Sequence, residues 1–204
     1  MPIQGVIFDI GGVIVDWNPV YLYRGLFGGD EARMAEFLTL ICPQSWNEEQ
    51  DAGRPIAEAT EARVKQFPEW EKEIRAFYGR WIEMVKGPIP GTSGLIAELH
   101  ALGLPLYALS NFSAELFPLI RHRFSAFDAM RRIFLSGDYK RIKPDARFYN
   151  AALAEIPAPR EALFFVDDNP ANVAGAEAVG LPARRFTDAV SLRSELKSRG
   201  VDLP

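Results

Sequence analysis

The chain has 204 residues, a formal net charge of −4, and 48% hydrophobic and 25% charged residues. This length is enough for one α/β domain with a sizeable core, together with a small inserted domain. The sequence has no block of Lys and Arg, so its charge indicates neither a nucleic acid nor an anionic membrane as a partner. The single cysteine, Cys42, cannot form an internal disulfide, and we expect neither a signal peptide nor a membrane span. A cytoplasmic location is therefore expected, and the sequence leaves monomer or homodimer open.

The N-terminal stretch predicts a buried strand that ends at a carboxylate. Ile3 to Phe8 is an apolar run, Asp9 and Gly11-Gly12 follow it, and a second apolar run covers Val13 to Val15. Near-continuous apolar runs are typical of parallel strands, and α/β folds bind ligands at the carboxyl ends of such strands. On this stretch alone, Asp9 is either a functional carboxylate or the first residue of a turn.

The segment from Trp17 to Lys86 has a different pattern. Apolar residues recur at helical spacing, and Gly and Pro interrupt them at intervals, for example at Gly28-Gly29 and Pro43. This pattern predicts four or five short helices inserted after the first strand, with Asp30 as the N-cap of the second. The predicted organisation is a core of residues 1–16 and 88–204 and a helical cap of residues 17–87.

Strands and helices alternate after Pro88, which predicts a doubly wound, mostly parallel sheet of the α/β class with helices on both faces. The predicted strands are Pro105 to Leu109, Ile133 to Leu135, Ala162 to Val166 and Ala183 to Phe186. The predicted helices are Thr92 to Leu102, Ser113 to Phe124, Pro144 to Ile156, Pro170 to Val179 and Asp188 to Ser198.

Polar side chains follow three of the predicted strands. They are Asp9, Ser110-Asn111 and Asp167-Asp168, and Lys143 precedes a predicted helix nearby. The carboxyl ends of parallel strands share one edge, so these groups are expected in one crevice. Carboxylates a few ångströms apart need a cation, and Mg²⁺ is the hard ion that accepts few protein oxygens plus water. A hydroxyl, backbone N–H groups and a Lys can hold an anion such as phosphate. A carboxylate beside both sites is a candidate nucleophile for phosphoryl transfer.

Each of these residues also has an ordinary structural interpretation. Lys143 alone is typical of a solvated surface lysine, and Ser110-Asn111 alone is typical of a cap or a turn. The order and spacing of the whole set are more specific. The four motifs are Phe8-Asp9-Ile10-Gly11-Gly12-Val13, Leu109-Ser110-Asn111, Lys143-Pro144-Asp145 and Phe165-Val166-Asp167-Asp168-Asn169.

Together these motifs resemble the haloacid dehalogenase-like (HAD) hydrolase superfamily over the whole chain. The resemblance implies a Rossmann-like core with an inserted type-1 helical cap and an aspartyl nucleophile at Asp9. It implies a phosphate held by Ser110, the Asn111 backbone and Lys143. It also implies Mg²⁺ bound by Asp9, the Gly11 carbonyl and Asp168, with Asp167 binding directly or through water.

Gly11 departs from the usual pattern of the family phosphatases. Those enzymes carry a second Asp at this position, which protonates the leaving group and then activates water, and a general acid contributes roughly 10²–10⁴-fold to a rate. Either another acid replaces it, with Asp16 or a cap residue as candidates, or the substrate has a good leaving group, or phosphate is not turned over. The first motif is most similar to a subgroup of sugar-phosphate phosphatases that also has Gly there.

The leading hypothesis is a Mg²⁺-dependent phosphatase of a small phosphorylated metabolite, with sugar phosphates among the candidates. A metal-independent 2-haloacid dehalogenase is the rival, but that class has serines where this chain has Asp167 and Asp168. A catalytically silent binding or regulatory protein is the third alternative. Substrate choice is expected in the cap, where Trp46, Asp51 and Arg54 lie around a predicted polar loop, Gln44 to Arg54, and Trp46 and Arg54 are the predicted substrate contacts.

Overall fold

The computed structural model describes residues 2–204, and its elements alternate as the α/β pattern predicts. The strands are β1 (Gly5–Phe8), β2 (Val15–Trp17), β3 (Val85–Pro88), β4 (Leu106–Ser110), β5 (Arg132–Leu135), β6 (Leu163–Asp167) and β7 (Ala183–Arg185). The α-helices are α1 (Val20–Leu26), α2 (Glu31–Glu36), α3 (Gln44–Asp51), α4 (Ile56–Gln66), α5 (Glu71–Gly79), α6 (Thr92–Ala101), α7 (Pro118–Arg121), α8 (Ser136–Tyr139), α9 (Ala146–Leu153), α10 (Pro170–Ala178) and α11 (Ala189–Ser198). A π-helical turn (Phe37–Ile41) continues α2.

Five strands form a parallel sheet in the order β5-β4-β1-β6-β7. Strand β1 lies in the centre, with Phe8 level with Ala108 of β4 on one side and with Val166 of β6 on the other. The predicted fold class, a doubly wound Rossmann-like sheet, is therefore confirmed. Because these three strands are neighbours and parallel, the residues that follow them lie together at one edge of the sheet.

The sheet is buried on both faces because its strands are apolar at nearly every position. Val6 and Phe8 of β1 point to the face covered by α6 and α11 and belong to a large core that continues into the inserted helices. Ile7 points to the opposite face, where it packs with residues of α9 and α10. Successive side chains of a strand point to opposite faces, so one four-residue strand contributes to both cores.

The inserted helices α1 to α5 lie between β2 and β3, and these two strands pair antiparallel with each other. This pair is not predicted from the sequence, because each strand has only three or four residues and strand β3 contains Gly and Pro. We refer to residues 17–87 as the helical insert. Both predicted boundaries fall within the β2–β3 pair, and the division into core and cap remains a prediction. Asp30 caps α2 as predicted, since its Oδ1 accepts a hydrogen bond from the Arg33 N–H.

Two predicted elements are wrong. The predicted helix Ser113 to Phe124 is reduced to the four residues of α7, which follow a run of turns, and the Ser113 N–H donates to a side chain of the helical insert. The polar segment Gln44 to Arg54, expected as a loop, forms helix α3.

The ends of the other elements differ by one to three residues from the predictions. Strand β1 begins at Gly5 rather than Ile3, for example. Helix α9 begins at Ala146, and Asp145 is its N-cap rather than part of its first turn. No helix within residues 2–204 has the length and apolarity needed to cross a bilayer.

Candidate active site

Asp9 follows the central strand β1 and is nearly buried, with 7% of its surface exposed. Its Oδ1 accepts a hydrogen bond of 2.7 Å from the Ile10 N–H and lies 3.0 Å from Lys143 Nζ. Within residues 2–204, no hydrogen bond or ion pair is found for its Oδ2. The first oxygen fixes the orientation of the carboxylate, and the second is available to a ligand or a substrate.

The Lys143 ammonium is buried and reaches three acceptors. Nζ lies 2.9 Å from the Leu109 carbonyl oxygen, 2.6 Å from Asp167 Oδ2 and 3.0 Å from Asp9 Oδ1. Three donors and three acceptors satisfy the group completely. Although burial lowers the pKa of Lys143, the charges of Asp9 and Asp167 raise it above its ordinary value. Lys143 is therefore a permanent positive charge beside Asp9.

Asn111 holds the backbone of Lys143 in place. Its Oδ1 accepts from the Lys143 N–H at 2.7 Å, and its Nδ2 donates to the Lys143 carbonyl at 3.0 Å. The two hydrogen bonds connect the segment after β4 to the segment before α9. The structure thus brings together the predicted residues Ser110, Asn111 and Lys143, and it gives the Asn111 side chain a positioning role toward Lys143.

Asp167 is fully buried, and its carboxylate is surrounded by donors. Oδ1 accepts from the Asn169 N–H at 2.8 Å, and Asn172 Nδ2 lies 3.1 Å from both oxygens. Lys143 Nζ donates a hydrogen bond to Oδ2 at 2.6 Å. These contacts orient Asp167 toward Lys143, and one of its oxygens also lies within 4.8 Å of oxygens of Asp9 and Asp168, so its metal contact stays a prediction. Asn172 has no counterpart in the sequence-based set, because an Asn inside a helix carries no distinctive signal.

Asp168 lies against the glycine pair of the first motif. A Cβ at Gly12, where φ is +69°, would lie 2.3 Å from Asp168 Oδ2, so only glycine allows this approach. Oxygen atoms of Asp9, Asp167 and Asp168 lie within 4.8 Å of one another. A Cβ at Gly11 would contact nothing within 4 Å, and this residue lines the cleft beside Asp9.

The donor set suits a hard divalent cation. Within residues 2–204, Lys143 provides the only cationic side-chain group within 4 Å of these three carboxylates. Burial raises the pKa of Asp9 to about 7, Lys143 lowers it, and Asp167 raises it. Burial and the neighbouring Asp167 charge also raise the pKa of Asp168. The three carboxylates thus outnumber the cationic groups beside them, and Asp9 and Asp168 could hold Mg²⁺ through oxygen ligands.

The cleft above Asp9 has one polar and one apolar side. Its lining residues are Asp9, Gly11, Trp17, Gln44, Asn47, Asp51, Trp81, Ser110, Asn111, Phe112 and Leu116. The helical insert contributes Asn47 and Asp51 from α3, while four large apolar side chains form a wall. The indole N–H of Trp17 is buried without a hydrogen-bond partner within residues 2–204.

Trp46 and Arg54, the two predicted substrate contacts of the insert, do not line this cleft. Trp46 is buried in the core of the insert, with its ring 5.3 Å from those of Phe77 and Tyr78. Arg54 lies at the surface and pairs with Glu49 and Glu58. The structure does not bring either residue to the cleft, because α3 turns its Asn47 and Asp51 face toward it instead, and their contact with a substrate stays a prediction.

The comparison with known proteins agrees with this geometry. A family model described as haloacid dehalogenase-like hydrolase matches residues 3–180. The chain belongs to this family. The matched range includes all four motifs of this HAD-like hydrolase.

Individual relatives differ in what they act on. The sesquiterpene phosphatase astK of Aspergillus oryzae is 26% identical over 194 residues, 95% of each protein. The HAD family enzyme bt-2542 of Bacteroides thetaiotaomicron, solved with magnesium and inorganic phosphate, has a TM-score of 0.71 and 19% identity, covering 91% of this chain and 95% of that one. The L-2-haloacid dehalogenase of Xanthobacter autotrophicus, solved with chloropropionic acid covalently bound, has a TM-score of 0.63 and 18% identity, covering 99% of this chain and 85% of that one. At these identities the two structures show the shared fold.

Proposed function

We propose that this HAD-like hydrolase is a Mg²⁺-dependent phosphatase of a small phosphomonoester that works through a phospho-Asp9 intermediate. The observation that carries the proposal is the excess of carboxylate over cationic charge at the carboxyl ends of β1 and β6. One ammonium, Lys143, faces the carboxylates of Asp9, Asp167 and Asp168. An anionic substrate would be repelled from such a site unless a divalent cation were bound beside it.

The contacts of Asp9 fit the role of nucleophile. With Oδ1 held by the Ile10 N–H and Lys143, the free Oδ2 is the oxygen that would attack phosphorus. The bond from phosphorus to the ester oxygen then breaks, and water later hydrolyses the resulting acyl phosphate. Bound Mg²⁺ would neutralise charge on Asp9 and on the phosphoryl oxygens.

Lys143 and the end of β4 would hold the transferred group. Lys143 is kept beside Asp9 by Asp167 and Asn111, and Ser110 lies in the same cleft, 2% exposed. A fixed positive charge in a partly buried cleft stabilises a developing phosphoryl charge without reorganisation. Ser110, Asn111 and Lys143 are therefore proposed as the phosphate site.

The dehalogenase alternative fits the site less well. It needs no metal, and Asp168 would then add an uncompensated carboxylate to a site for an anionic 2-haloacid. The likeness to a dehalogenase structure lies in the fold, which both reactions share. A silent binding protein would keep the same pocket, and a measured turnover distinguishes it from an enzyme.

We further propose that the group esterified to phosphate is apolar. Trp17, Trp81, Phe112 and Leu116 form the wall of the cleft, and the relative astK is named for a sesquiterpene phosphate substrate class. Sugar phosphates were candidates because of the likeness of the first motif, and Trp46 and Arg54 were the expected substrate contacts, but neither residue lines the cleft. A wall of aromatic and aliphatic carbon favours an apolar alcohol over a polyhydroxylated one.

The test is a substrate panel assayed with Mg²⁺ and with EDTA. The panel contains phosphates of apolar alcohols, sugar phosphates and 2-chloropropionate. We expect Mg²⁺-dependent phosphate release, highest with an apolar alcohol, and its loss in Asp9→Asn. Phosphate release that persists in EDTA or in Asp9→Asn would refute the mechanism. Higher activity on sugar phosphates would refute the substrate class alone, and chloride release without metal would establish the dehalogenase.

A further inference from the structure

Asp51 is a second buried carboxylate in the cleft, and it comes from the helical insert rather than from the sheet. It is the last residue of α3, 7% exposed, and lines the same cleft as Asp9 and Ser110. The phosphate site proposed above uses none of the insert's polar groups. A buried acid that faces a reacting centre from the opposite side requires an explanation, because burial of an unpaired carboxylate is unfavourable.

The contacts of Asp51 hold the side chain without neutralising it. Oδ1 accepts from the Ser113 N–H at 3.1 Å, and Oδ2 accepts from Asn47 Nδ2 at 2.8 Å. None of the ion pairs within residues 2–204 includes Asp51. A carboxyl group keeps acceptor sites beyond these two hydrogen bonds and, when protonated, has one O–H to donate.

The main chain around Asp51 is anchored to the core. Its carbonyl oxygen accepts from Ser136 Oγ, and that hydroxyl also accepts from the Phe112 N–H. Two residues later, the Gly53 carbonyl accepts from Lys140 Nζ, and a Cβ at Gly53 would lie 2.7 Å from the Gly137 carbonyl oxygen. These contacts attach the end of α3 to α8, and they thereby hold Asp51 in its position in the cleft.

Two other positions fail to supply a proton donor. Gly11, where family phosphatases carry an Asp, has no side chain. Asp16, the other candidate from the sequence, directs both carboxylate oxygens to the Tyr21 hydroxyl, at 2.8 and 3.0 Å, and does not line the cleft. Asp51 is the acid of the helical insert that lines the cleft together with Asp9.

We propose that Asp51 is the general acid and base of the phosphatase reaction, an inference that rests on the proposed function. When Asp9 attacks phosphorus and the ester bond breaks, the leaving oxygen takes the proton of the Asp51 carboxyl group and departs as an alcohol. In the second step, the Asp51 carboxylate takes a proton from the water that attacks phospho-Asp9. Phosphate is released, and Asp9 and the protonated Asp51 are regenerated.

The electrostatic surroundings agree with a protonated resting acid. Burial raises the pKa of Asp51 to about 8; the Ser113 N–H lowers it, while Glu48 of the same helix and Asp9 of the core raise it. The Tyr78 hydroxyl of α5 lies 2.8 Å from Gln50 Oε1 and 3.1 Å from Asn47 Oδ1, and burial and the charge of Asp51 raise its pKa above the ordinary value. A neutral Asp51 avoids repulsion with an incoming phosphate and carries the proton that an alkoxide needs.

The experiment separates this role from a structural one by comparing two leaving groups. Asp51→Asn is assayed with an alkyl phosphate, whose alkoxide needs a proton, and with p-nitrophenyl phosphate, whose phenolate does not. We expect kcat/KM for the alkyl ester, which reports the step in which the alcohol departs, to fall by about 10²–10⁴-fold and kcat/KM for p-nitrophenyl phosphate to change by only a few-fold. Asp16→Asn is the matched control, the same change at a carboxylate outside the cleft, and should show no difference between the esters.

Two further measurements keep the test decisive. Wild-type kcat/KM for the alkyl ester should decline above about pH 8, where Asp51 loses its proton, while p-nitrophenyl phosphate should show no such decline.

Gly11→Asp, whose side chain meets open space, should restore part of the alkyl activity of Asp51→Asn. An equal loss for both esters in Asp51→Asn, with the wild-type decline shared by both esters, would overturn the role of Asp51 and leave the phosphatase intact. Absence of phosphate release from the wild type would instead overturn the proposed function.

Discussion

The two sides of the cleft differ in the charge and polarity of the side chains that line them. The core side, formed by the residues after β1, β4 and β6, concentrates charge, and Lys143 and Asp167 have every polar atom in a hydrogen bond or an ion pair. The rest of the lining, which we call the insert side, presents apolar carbon and one carboxyl group, Asp51, without a cation; the helical insert contributes Trp17, Trp81 and Asp51, and the segment after Asn111 contributes Phe112 and Leu116. The core side is therefore suited to a phosphoryl group, and the insert side to the group that departs from it. Changes on the core side should abolish the reaction, and changes on the insert side should alter which esters react.

The largest effect is expected when the single ammonium of the core side is removed. Lys143→Met keeps an unbranched side chain one atom shorter but leaves the buried Asp9 and Asp167 without their partner. Breaking such a pair costs about 3–5 kcal/mol of folding free energy, and losing a fixed charge at the reacting centre lowers kcat by about 10²–10³-fold.

Urea unfolding and phosphate release measure both consequences, with the exposed Lys65→Met as the matched control. Retention of wild-type stability in Lys143→Met would contradict the central place given to this ammonium.

A smaller effect is expected from the metal ligands. Mg²⁺ should raise the unfolding free energy of the wild type, by about 2.7 kcal/mol at a hundred times its Kd, since it binds only the folded state. Asp168→Asn should remove most of this gain, because the Asp168 carboxylate lies beside Gly12 and Asp9. Thermal unfolding with and without Mg²⁺ provides the measurement, and Asp202→Asn, at an exposed carboxylate outside the site, is the control. Equal stabilisation of Asp168→Asn would place the metal elsewhere.

The sequence predicted the core side better than the insert side, and the reason is physical. Asp9, Ser110, Lys143 and Asp167 could be assembled without a structure because parallel strands bring their carboxyl ends to one edge. No comparable rule places a helix of an insert over a sheet. Trp46 and Asp51 both lie on α3, and only the packing of that helix decides which of them faces Asp9.

The missed elements have similar causes. The helix predicted for Ser113 to Phe124 begins only at Pro118, and the segment before it is held by a hydrogen bond from the Ser113 N–H to Asp51, a contact between residues 62 positions apart that the sequence does not reveal. Strands β2 and β3 are too short to show, in the sequence, the alternation of apolar and polar residues that is typical of a strand. The spacing of Asn47 and Asp51, four residues apart on one helical face, was a readable signal, but a solvated helix shows the same spacing.

The insert side should also determine how stability depends on pH in the absence of metal. Burial raises the pKa of Asp51 to about 8, above its value in the unfolded chain, so the folded state binds more protons. The corresponding stability is fully present below about pH 4 and is lost as the pH rises to about 8, at no more than about 1.4 kcal/mol per pH unit. Urea unfolding in EDTA at pH 5 and pH 8 should show a larger decline in the wild type than in Asp51→Asn. Asp16→Asn should decline as the wild type does, and an identical slope in Asp51→Asn would show that Asp51 is ionised throughout.

The smallest effect is expected from the apolar wall, and it would sharpen the distinction between the two sides. Leu116→Ala removes three carbon atoms from the wall and leaves Asp9, Lys143 and Asp51 untouched. A hydrophobic pocket distinguishes substrates by only about 1–3 kcal/mol per methylene-sized change, so KM for an apolar alkyl phosphate should rise by about 10-fold or more.

Inhibition by inorganic phosphate should stay at the wild-type level, because phosphate contacts the core side alone. Leu119→Ala, a truncation of an exposed leucine outside the cleft, is the control. If Leu116→Ala weakened phosphate inhibition as much as it weakened ester binding, the wall would support the phosphate site, and the separation of phosphoryl binding from leaving-group binding would fail.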